Sequence, residues 1–240
     1  MADSQDALLS IVVLYSVAAV AVVVGFWLVV AWMQSFGKKV GYSLAPLGFS
    51  RPRGGFLVGI GAGMAVGVGA VLLGMIVNPL SVLVLERLGY STKPAIQQLF
   101  MEGLVSWVHE SPRVAVPAIV LVVVLFGPAV EELVFRGAIF NGLYRLGVLI
   151  SARSIGTEHP QGPPRKMIFA ASALASSILF ALLHLEPVLV PVLLMLAIIL
   201  CALFQRSGSL LPSFAAHATF NAFPAVLIIL RGLNILNIPI

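Results

Sequence analysis

Charged side chains are scarce in this chain of 240 residues. It has 14 lysines and arginines and 9 aspartates and glutamates, or 10% of the residues, against about 25% in a typical soluble domain. Hydrophobic residues make up 60%, and the mean hydropathy is +1.08. These values exclude a disordered chain, a coiled coil and an ordinary soluble enzyme. They predict an all-α, polytopic transmembrane helical bundle.

Cysteine is almost absent, because the single Cys201 lies inside an apolar run. A disulfide framework is therefore excluded. The net charge of +5 could indicate nucleic acid in a soluble protein. Here the basic residues lie in short segments beside apolar runs, where they set membrane orientation, so the lipid bilayer and not nucleic acid is the expected partner.

Six apolar runs approach the roughly 20 residues that a helix needs to cross a bilayer. They cover residues 8–33, 54–77, 116–146, 167–184, 188–204 and 209–230. The first has no basic residues before it, which predicts a retained span and not a signal peptide. The third is too long for one straight crossing, and we expect Gly127-Pro128 to break it, because proline lacks a backbone N–H.

The basic residues also predict an orientation. Segments 34–53 and 147–166 are rich in lysine and arginine, so the positive-inside rule makes both cytoplasmic and places the N-terminus outside. We expect 147–166 to be a flexible connector, since it contains several prolines and glycines. The protein is thus predicted to be a multi-pass protein of the cell (inner) membrane.

Segment 78–113 is neither a clear span nor a tight turn. Apolar positions at Leu99, Phe100, Leu104 and Trp107 favour an interfacial amphipathic helix. A partly ordered loop is the alternative at this stage.

Glycine recurs every fourth residue on the second run, at Gly55, Gly59, Gly63 and Gly67. Such a ridge lets a neighbouring helix approach closely. We interpret it as a packing surface inside the bundle, with self-association as the alternative.

Four charged side chains lie within the six runs, and all are on the third: Glu131, Glu132, Arg136 and Arg145. Arg145 is near the cytoplasmic end and can extend its charge to water. The other three are deep, where a charge costs at least ~2.5–3.5 kcal/mol. We therefore hypothesise that they belong to a functional site. The alternative is that Glu132 and Arg136, one helical turn apart, form only a structural ion pair.

Two other runs add polar groups. His184 ends the fourth, and His217 and Asn221 share a face of the sixth because they are one turn apart. Taken alone, either histidine could be a packing residue, and Asn221 could form only an interhelical hydrogen bond. Glu131 projects about 100° from Glu132, so the two carboxylates need different roles. If these groups converge, they can form a general base, an orienting group and an oxyanion site.

Other intramembrane protease chemistries do not fit. Asp3 and Asp6 are the only aspartates, so an aspartyl dyad is excluded. No H-E-x-x-H zinc helix is present, because His109-Glu110 is followed by Pro112 and Arg113. Glutamate and histidine chemistry remains.

The motifs resemble a known family. Glu131-Glu132-Leu-Val-Phe-Arg136 is similar to an E-E-x-x-x-R motif, here with Pro128 upstream. Phe180-x-x-x-His184 and His217-x-x-x-Asn221 are similar to its second and third motifs, and Leu47-Gly48-Phe49 to a weaker upstream element. The family is CPBP: CAAX prenyl proteases and bacteriocin-processing (Abi) intramembrane proteases. The resemblance covers about residues 117–230.

This resemblance implies a membrane-embedded endopeptidase that cuts near the C-terminus of a peptide or protein, with or without a lipid modification. It implies that Glu131 is the general base on water and that His184 is its partner. It implies that His217 and Asn221 hold the developing oxyanion.

The same resemblance implies that Glu132 and Arg136 pair and position the motif helix. It leaves the cofactor open. Glu131, His184 and His217 could ligate a zinc ion with an open water position, or they could hold water directly with no metal and no other cofactor.

Residues 1–115 are predicted to form N-terminal spans and the interfacial segment, and residues 116–240 the catalytic core, within one integrated membrane domain. Two other functions are considered. A proton-coupled transporter also places glutamate and histidine in a membrane, but no inverted repeat is visible. A non-catalytic immunity or scaffold protein would not need all four of the polar residues Glu131, His184, His217 and Asn221.

Overall fold

The computed structural model describes residues 24–25, 44–90, 92, 96–155 and 162–236. Within these ranges the regular secondary structure is entirely helical, which confirms the predicted all-α class. The described helices are α1 (Phe56–Arg87), α2 (Ile96–Glu110), α3 (from Pro112 to Ile155), α4 (Pro163–Leu182), α5 (Val190–Ser207) and α6 (Leu210–Gly232).

Five of these helices, all except α2, are long and apolar enough to cross a membrane. They correspond to the second through sixth predicted runs. The first run, 8–33, lies outside the described residues except for Val24 and Gly25, and Val24 packs against the buried cluster around Phe140. The protein is a multi-pass membrane protein, and its predicted orientation stays a prediction.

α1 packs against α6 through the predicted glycine ridge. A Cβ added at Gly63 would overlap the backbone carbonyl of Pro212, and one at Gly67 would come equally close to the carbonyl of Ala216. The ridge therefore brings two helix backbones together inside the bundle. Gly55 is not part of it, because this residue precedes α1 with a φ of 93°.

α2 occupies much of segment 78–113, and α1 takes the first part by extending to Arg87. The loop alternative was therefore wrong. The apolar side of α2 carries Leu104, Trp107 and Val108, which are buried in one cluster with residues of α3 and α6. This helix uses its apolar face to pack against the bundle.

α3 is one continuous helix of alternating geometry, so the predicted break at Gly127-Pro128 was wrong. Its segments are α-helical Pro112–Ile119, π-helical Val120–Phe126, α-helical Gly127–Glu131, π-helical Glu132–Phe140 and α-helical Asn141–Ile155. The wider π turns absorb the proline without ending the helix. The helix also takes up the first part of the predicted connector 147–166, whose residues 156–161 lie outside the described ranges.

The turn between α5 and α6 is defined by Gly208-Ser209. Gly208 ends α5 with a φ of 68°, a left-handed conformation that glycine adopts without strain. Ser209 then caps α6, since its hydroxyl accepts the backbone N–H of Leu211 at 3.3 Å. This turn sets the direction in which α6 enters the bundle.

Leu47-Gly48-Phe49 lies against α3, the helix that carries the E-E-x-x-x-R motif. A short 3-10 turn, Ala45–Leu47, is followed by Gly48 with a φ of 96°. The Gly48 carbonyl accepts the N–H of Leu210 at 3.0 Å, and a Cβ at Gly137 would collide with the Leu47 carbonyl. The segment therefore joins the start of α6 to the middle of α3, next to the candidate site.

Candidate active site

The centre of the site is a buried ion pair on α3. Arg136 Nη1 lies 2.9 Å from Glu132 Oε1, one helical turn apart, and both side chains are 1% exposed. The guanidinium carbon also lies 4.6 Å from the ring centroid of Phe180 on α4, a cation–π distance. The predicted pair is therefore present, and it leaves neither charge isolated in the bundle.

His217 of α6 lies between the two adjacent glutamates. Its Nδ1 is 2.9 Å from Glu132 Oε1, and its Nε2 is 3.5 Å from Glu131 Oε2. The ring is 2% exposed. Because a carboxylate can only accept, the hydrogen on Nδ1 is the one shared with Glu132. Consecutive residues of a helix point about 100° apart, and one imidazole reaches both by using its two opposite nitrogens.

The two glutamates differ in how far their side chains are exposed. The side chain of Glu131 is 35% exposed, whereas that of Glu132 is 1% exposed. Glu131 Oε2 is shielded from solvent and has no hydrogen-bond partner among the described residues. Arg136 is bound to Glu132, whereas no arginine among the described residues contacts Glu131, which is the partly exposed carboxylate of the two.

His184 lies two residues beyond the end of α4 and is exposed. Its Nδ1 is 2.8 Å from the Phe180 carbonyl, and since a carbonyl only accepts, Nδ1 carries the hydrogen and Nε2 is left free as an acceptor. The ring centroid of Phe180 is 4.7 Å from that of His184 and 5.7 Å from that of His217. Phe180 thus contacts both histidines, and in the described part of the chain no hydrogen bond or ion pair joins His184 to Glu131.

Asn221 of α6 binds the backbone of α3. Its Nδ2 donates to the carbonyl of Val123 at 3.2 Å. In an α-helix Gly127 would donate to that carbonyl, but its N–H bonds instead to Val122, as in a π turn. The next donor in π geometry would be Pro128, which has no N–H. The Asn221 amide therefore supplies the hydrogen bond that the helix cannot make.

An apolar cavity of about 630 Å³ lies beside α3 and the start of α6. Glu132 lies on its wall, and much of the rest is aromatic or aliphatic: Phe49, Phe56, Phe126, Leu133 and Phe214. A cleft of this size and polarity suits a hydrophobic segment of a substrate. Sequence reasoning found the Leu47-Gly48-Phe49 element but did not assign it to a cavity.

The contacts of Phe180 are the main feature of the site that the sequence did not predict, because this residue was considered only as part of a motif. Its ring touches Arg136, His184 and His217, so it connects the ion pair to both histidines. The motif Phe180-x-x-x-His184 contained the signal for this position. Its four-residue spacing places the carbonyl of residue 180 next to residue 184 on a helix.

The zinc alternative stays a prediction. Among the described residues, no three histidine, cysteine, aspartate or glutamate side chains are placed to ligate one metal ion. Glu131 and His217 are adjacent, and no contact between described residues joins either of them to His184.

The fold and this cluster define a class: a polytopic helical membrane protein with glutamate, histidine and arginine side chains gathered inside the bundle. Residues 113–223, somewhat less than half of the chain, match the family model described as type II CAAX prenyl endopeptidase Rce1-like. This match supports the assignment to the CPBP family of CAAX proteases that the three motifs predicted. No curated protein and no solved structure matches the chain.

The matched family implies a protease with a peptide or protein substrate and a membrane environment. It does not distinguish the bacteriocin-processing branch, which stays a prediction. The matched segment begins before Glu131 and ends after Asn221, so it contains all six candidate residues.

Proposed function

We propose that the protein is an intramembrane endopeptidase that hydrolyses a peptide bond near the C-terminus of a membrane-associated peptide or protein. The observation that carries this proposal is that the two adjacent glutamates differ in burial and in their neighbours. Glu132 is buried against Arg136, and Glu131 is partly exposed while one of its oxygens faces His217. A general base needs such exposure, and a structural carboxylate does not.

In the proposed reaction Glu131 removes a proton from water, and the resulting hydroxide attacks the scissile carbonyl carbon. The tetrahedral intermediate then collapses, the carbon–nitrogen bond breaks, and the proton held by Glu131 passes to the amine that leaves. His184 can orient the same water, because its Nε2 is free to accept a hydrogen bond. We expect the water molecule to join His184 and Glu131.

His217 and Asn221 are proposed to stabilise the oxyanion of that intermediate. When protonated, the His217 ring offers Nε2–H to the oxyanion while Nδ1–H stays on Glu132. Asn221 uses one N–H on the Val123 carbonyl, so its amide has a second N–H to donate. The bond to Val123 also keeps this amide from rotating freely.

Glu132 and Arg136 are proposed to act through His217. The ion pair holds a carboxylate oxygen 2.9 Å from Nδ1, which orients the ring toward Glu131. They are therefore positioning residues. The apolar cavity beside Glu132 suits a hydrophobic substrate segment, including one that carries a lipid chain.

The test is cleavage of a panel of C-terminal peptides by the purified protein in lipid nanodiscs. Glu131→Gln should lower turnover about 10²–10⁴-fold, because glutamine keeps the size of the side chain but cannot accept the proton. Glu110→Gln is the matched control, since Glu110 is an exposed glutamate at the end of α2. Near-normal turnover by Glu131→Gln would contradict the role of Glu131 as base.

The same experiment separates the two other functions. A proton-coupled transporter or a scaffold protein would cleave none of the peptides, with or without Glu131. Substrates can be sought by comparing protein C-termini in cells that carry the wild-type chain or a Glu131→Ala copy.

A further inference from the structure

A second cavity, of about 480 Å³, lies away from the candidate active site, at the end of the bundle where α4 begins and α5 ends. Four basic residues from three parts of the chain line it: Arg53 before α1, Arg165 and Lys166 in the first turn of α4, and Arg206 near the end of α5. In the part of the chain that the structure describes, none of the four is paired with a carboxylate.

Two of these cations are held in place by neutral acceptors. Arg165 Nε donates to the hydroxyl of Tyr144 at 2.8 Å, and Tyr144 is itself buried. Arg53 Nη1 donates to the backbone carbonyl of Arg206 at 3.3 Å. These bonds fix the guanidinium groups but do not neutralise them. Four like charges around one cavity repel each other, so the arrangement favours an anion between them.

We propose that this basic cavity binds the phosphate headgroup of an anionic phospholipid. Guanidinium groups donate two parallel hydrogen bonds to phosphate oxygens, and a lysine adds a further charge. Basic pockets between transmembrane helices, at the basic end of a bundle, are suited to such headgroups.

The surroundings of the cavity favour a lipid over free phosphate as the source of that group. Phe169 forms part of its wall. Two of the helices that line the cavity also carry exposed apolar side chains, since Leu146 and Ile150 of α3 are 53% and 56% exposed and Met167 of α4 is 72% exposed. A lipid whose headgroup occupies the cavity can lay its acyl chains along the apolar exterior of these helices, which a free anion would not use.

The proposal can be tested on the full-length protein in detergent by native mass spectrometry, with phosphatidylglycerol and phosphatidylcholine of the same acyl chains as probes. Wild type should bind phosphatidylglycerol at least tenfold more tightly than phosphatidylcholine. Each basic residue near a membrane surface contributes about a fivefold change in affinity for an anionic lipid. Arg165→Gln combined with Lys166→Gln should therefore weaken phosphatidylglycerol binding about 25-fold.

Arg113→Gln is the matched control, because Arg113 is an exposed arginine at the opposite end of α3, and it should bind like wild type. Arg165→Lys, which keeps the charge, should lose less than the glutamine variants. Arg206→Gln alone, expected to lose about fivefold, keeps the test valid if the double variant unfolds in a thermal scan. Equal phosphatidylglycerol binding by wild type and both charge-removing variants would overturn the proposal, as would displacement of the lipid by millimolar inorganic phosphate.

Discussion

Asn221→Ala should destabilise the protein, and this loss should depend on Pro128. The side-chain amide of Asn221 is the donor for the Val123 carbonyl, which has lost its α-helical donor to a π turn and its π-helical donor to proline. Removing the amide leaves this carbonyl, inside a membrane-spanning helix, without a partner. Such a loss costs about 1–3 kcal/mol.

The structure places the expected cost in the lower part of that range. The hydrogen bond is 3.2 Å long and only partly buried, so water or lipid headgroups can compensate in part. We therefore expect the free energy of unfolding to fall by about 1–2 kcal/mol in Asn221→Ala.

A second substitution makes the prediction specific. Pro128→Ala restores an N–H at residue 128, which in the π register can donate to the Val123 carbonyl. In that background Asn221→Ala should cost less than about 0.5 kcal/mol, because the carbonyl has a backbone partner again. The four proteins of this double-mutant cycle should show a coupling of about 1 kcal/mol.

The assay is reversible unfolding of the four proteins in mixed micelles with increasing denaturing detergent, followed by circular dichroism. Cleavage is measured in parallel. Effects of Asn221→Ala and Pro128→Ala that add within about 0.5 kcal/mol would refute the account of the Val123 carbonyl. Lost turnover with unchanged stability in Asn221→Ala would show that the amide serves the oxyanion alone.

Three further predictions concern the ion pair, His184 and the glycine ridge. Arg136→Ala should lower the free energy of unfolding by about 3–5 kcal/mol and reduce the yield of folded protein, because it leaves the buried Glu132 without its arginine partner; wild-type thermal stability would argue against this. His184→Ala should lower cleavage about 10²–10⁴-fold with little change in the unfolding midpoint, since the ring is exposed; a loss of both would indicate a structural role. Gly63→Ala should lower the unfolding midpoint because its Cβ would overlap α6, whereas Gly61→Ala, which has open space around it, should not; equal midpoints would contradict the close approach of α1 and α6.

The composition and motifs of the chain were sufficient for the fold class and for the set of candidate residues. Hydropathy located the second through sixth spans to within a few residues at many of their ends, because burial in lipid demands long apolar runs whatever the packing. Charge inside those runs is costly, so Glu131, Glu132 and Arg136 stood out without any structure.

Local patterns predicted less where backbone geometry departs from the α-helix. Gly127-Pro128 was expected to break α3, but the chain continues through two π segments. Proline removes one N–H, and whether a helix then ends depends on a donor from elsewhere. That donor, Asn221, is 98 residues away from Val123, so no local window contains the answer.

The sequence by itself determined which polar groups enter the membrane, because this follows from hydropathy. It also determined which of these groups share a helix face, because this follows from helical spacing. What only the tertiary structure decided was which groups touch. One imidazole, that of His217, reaches Glu131 and Glu132 together, and Phe180 contacts both His217 and His184. These contacts join α3, α4 and α6, and they depend on helix rotations that the π turns change and that the glycine ridge of α1 allows.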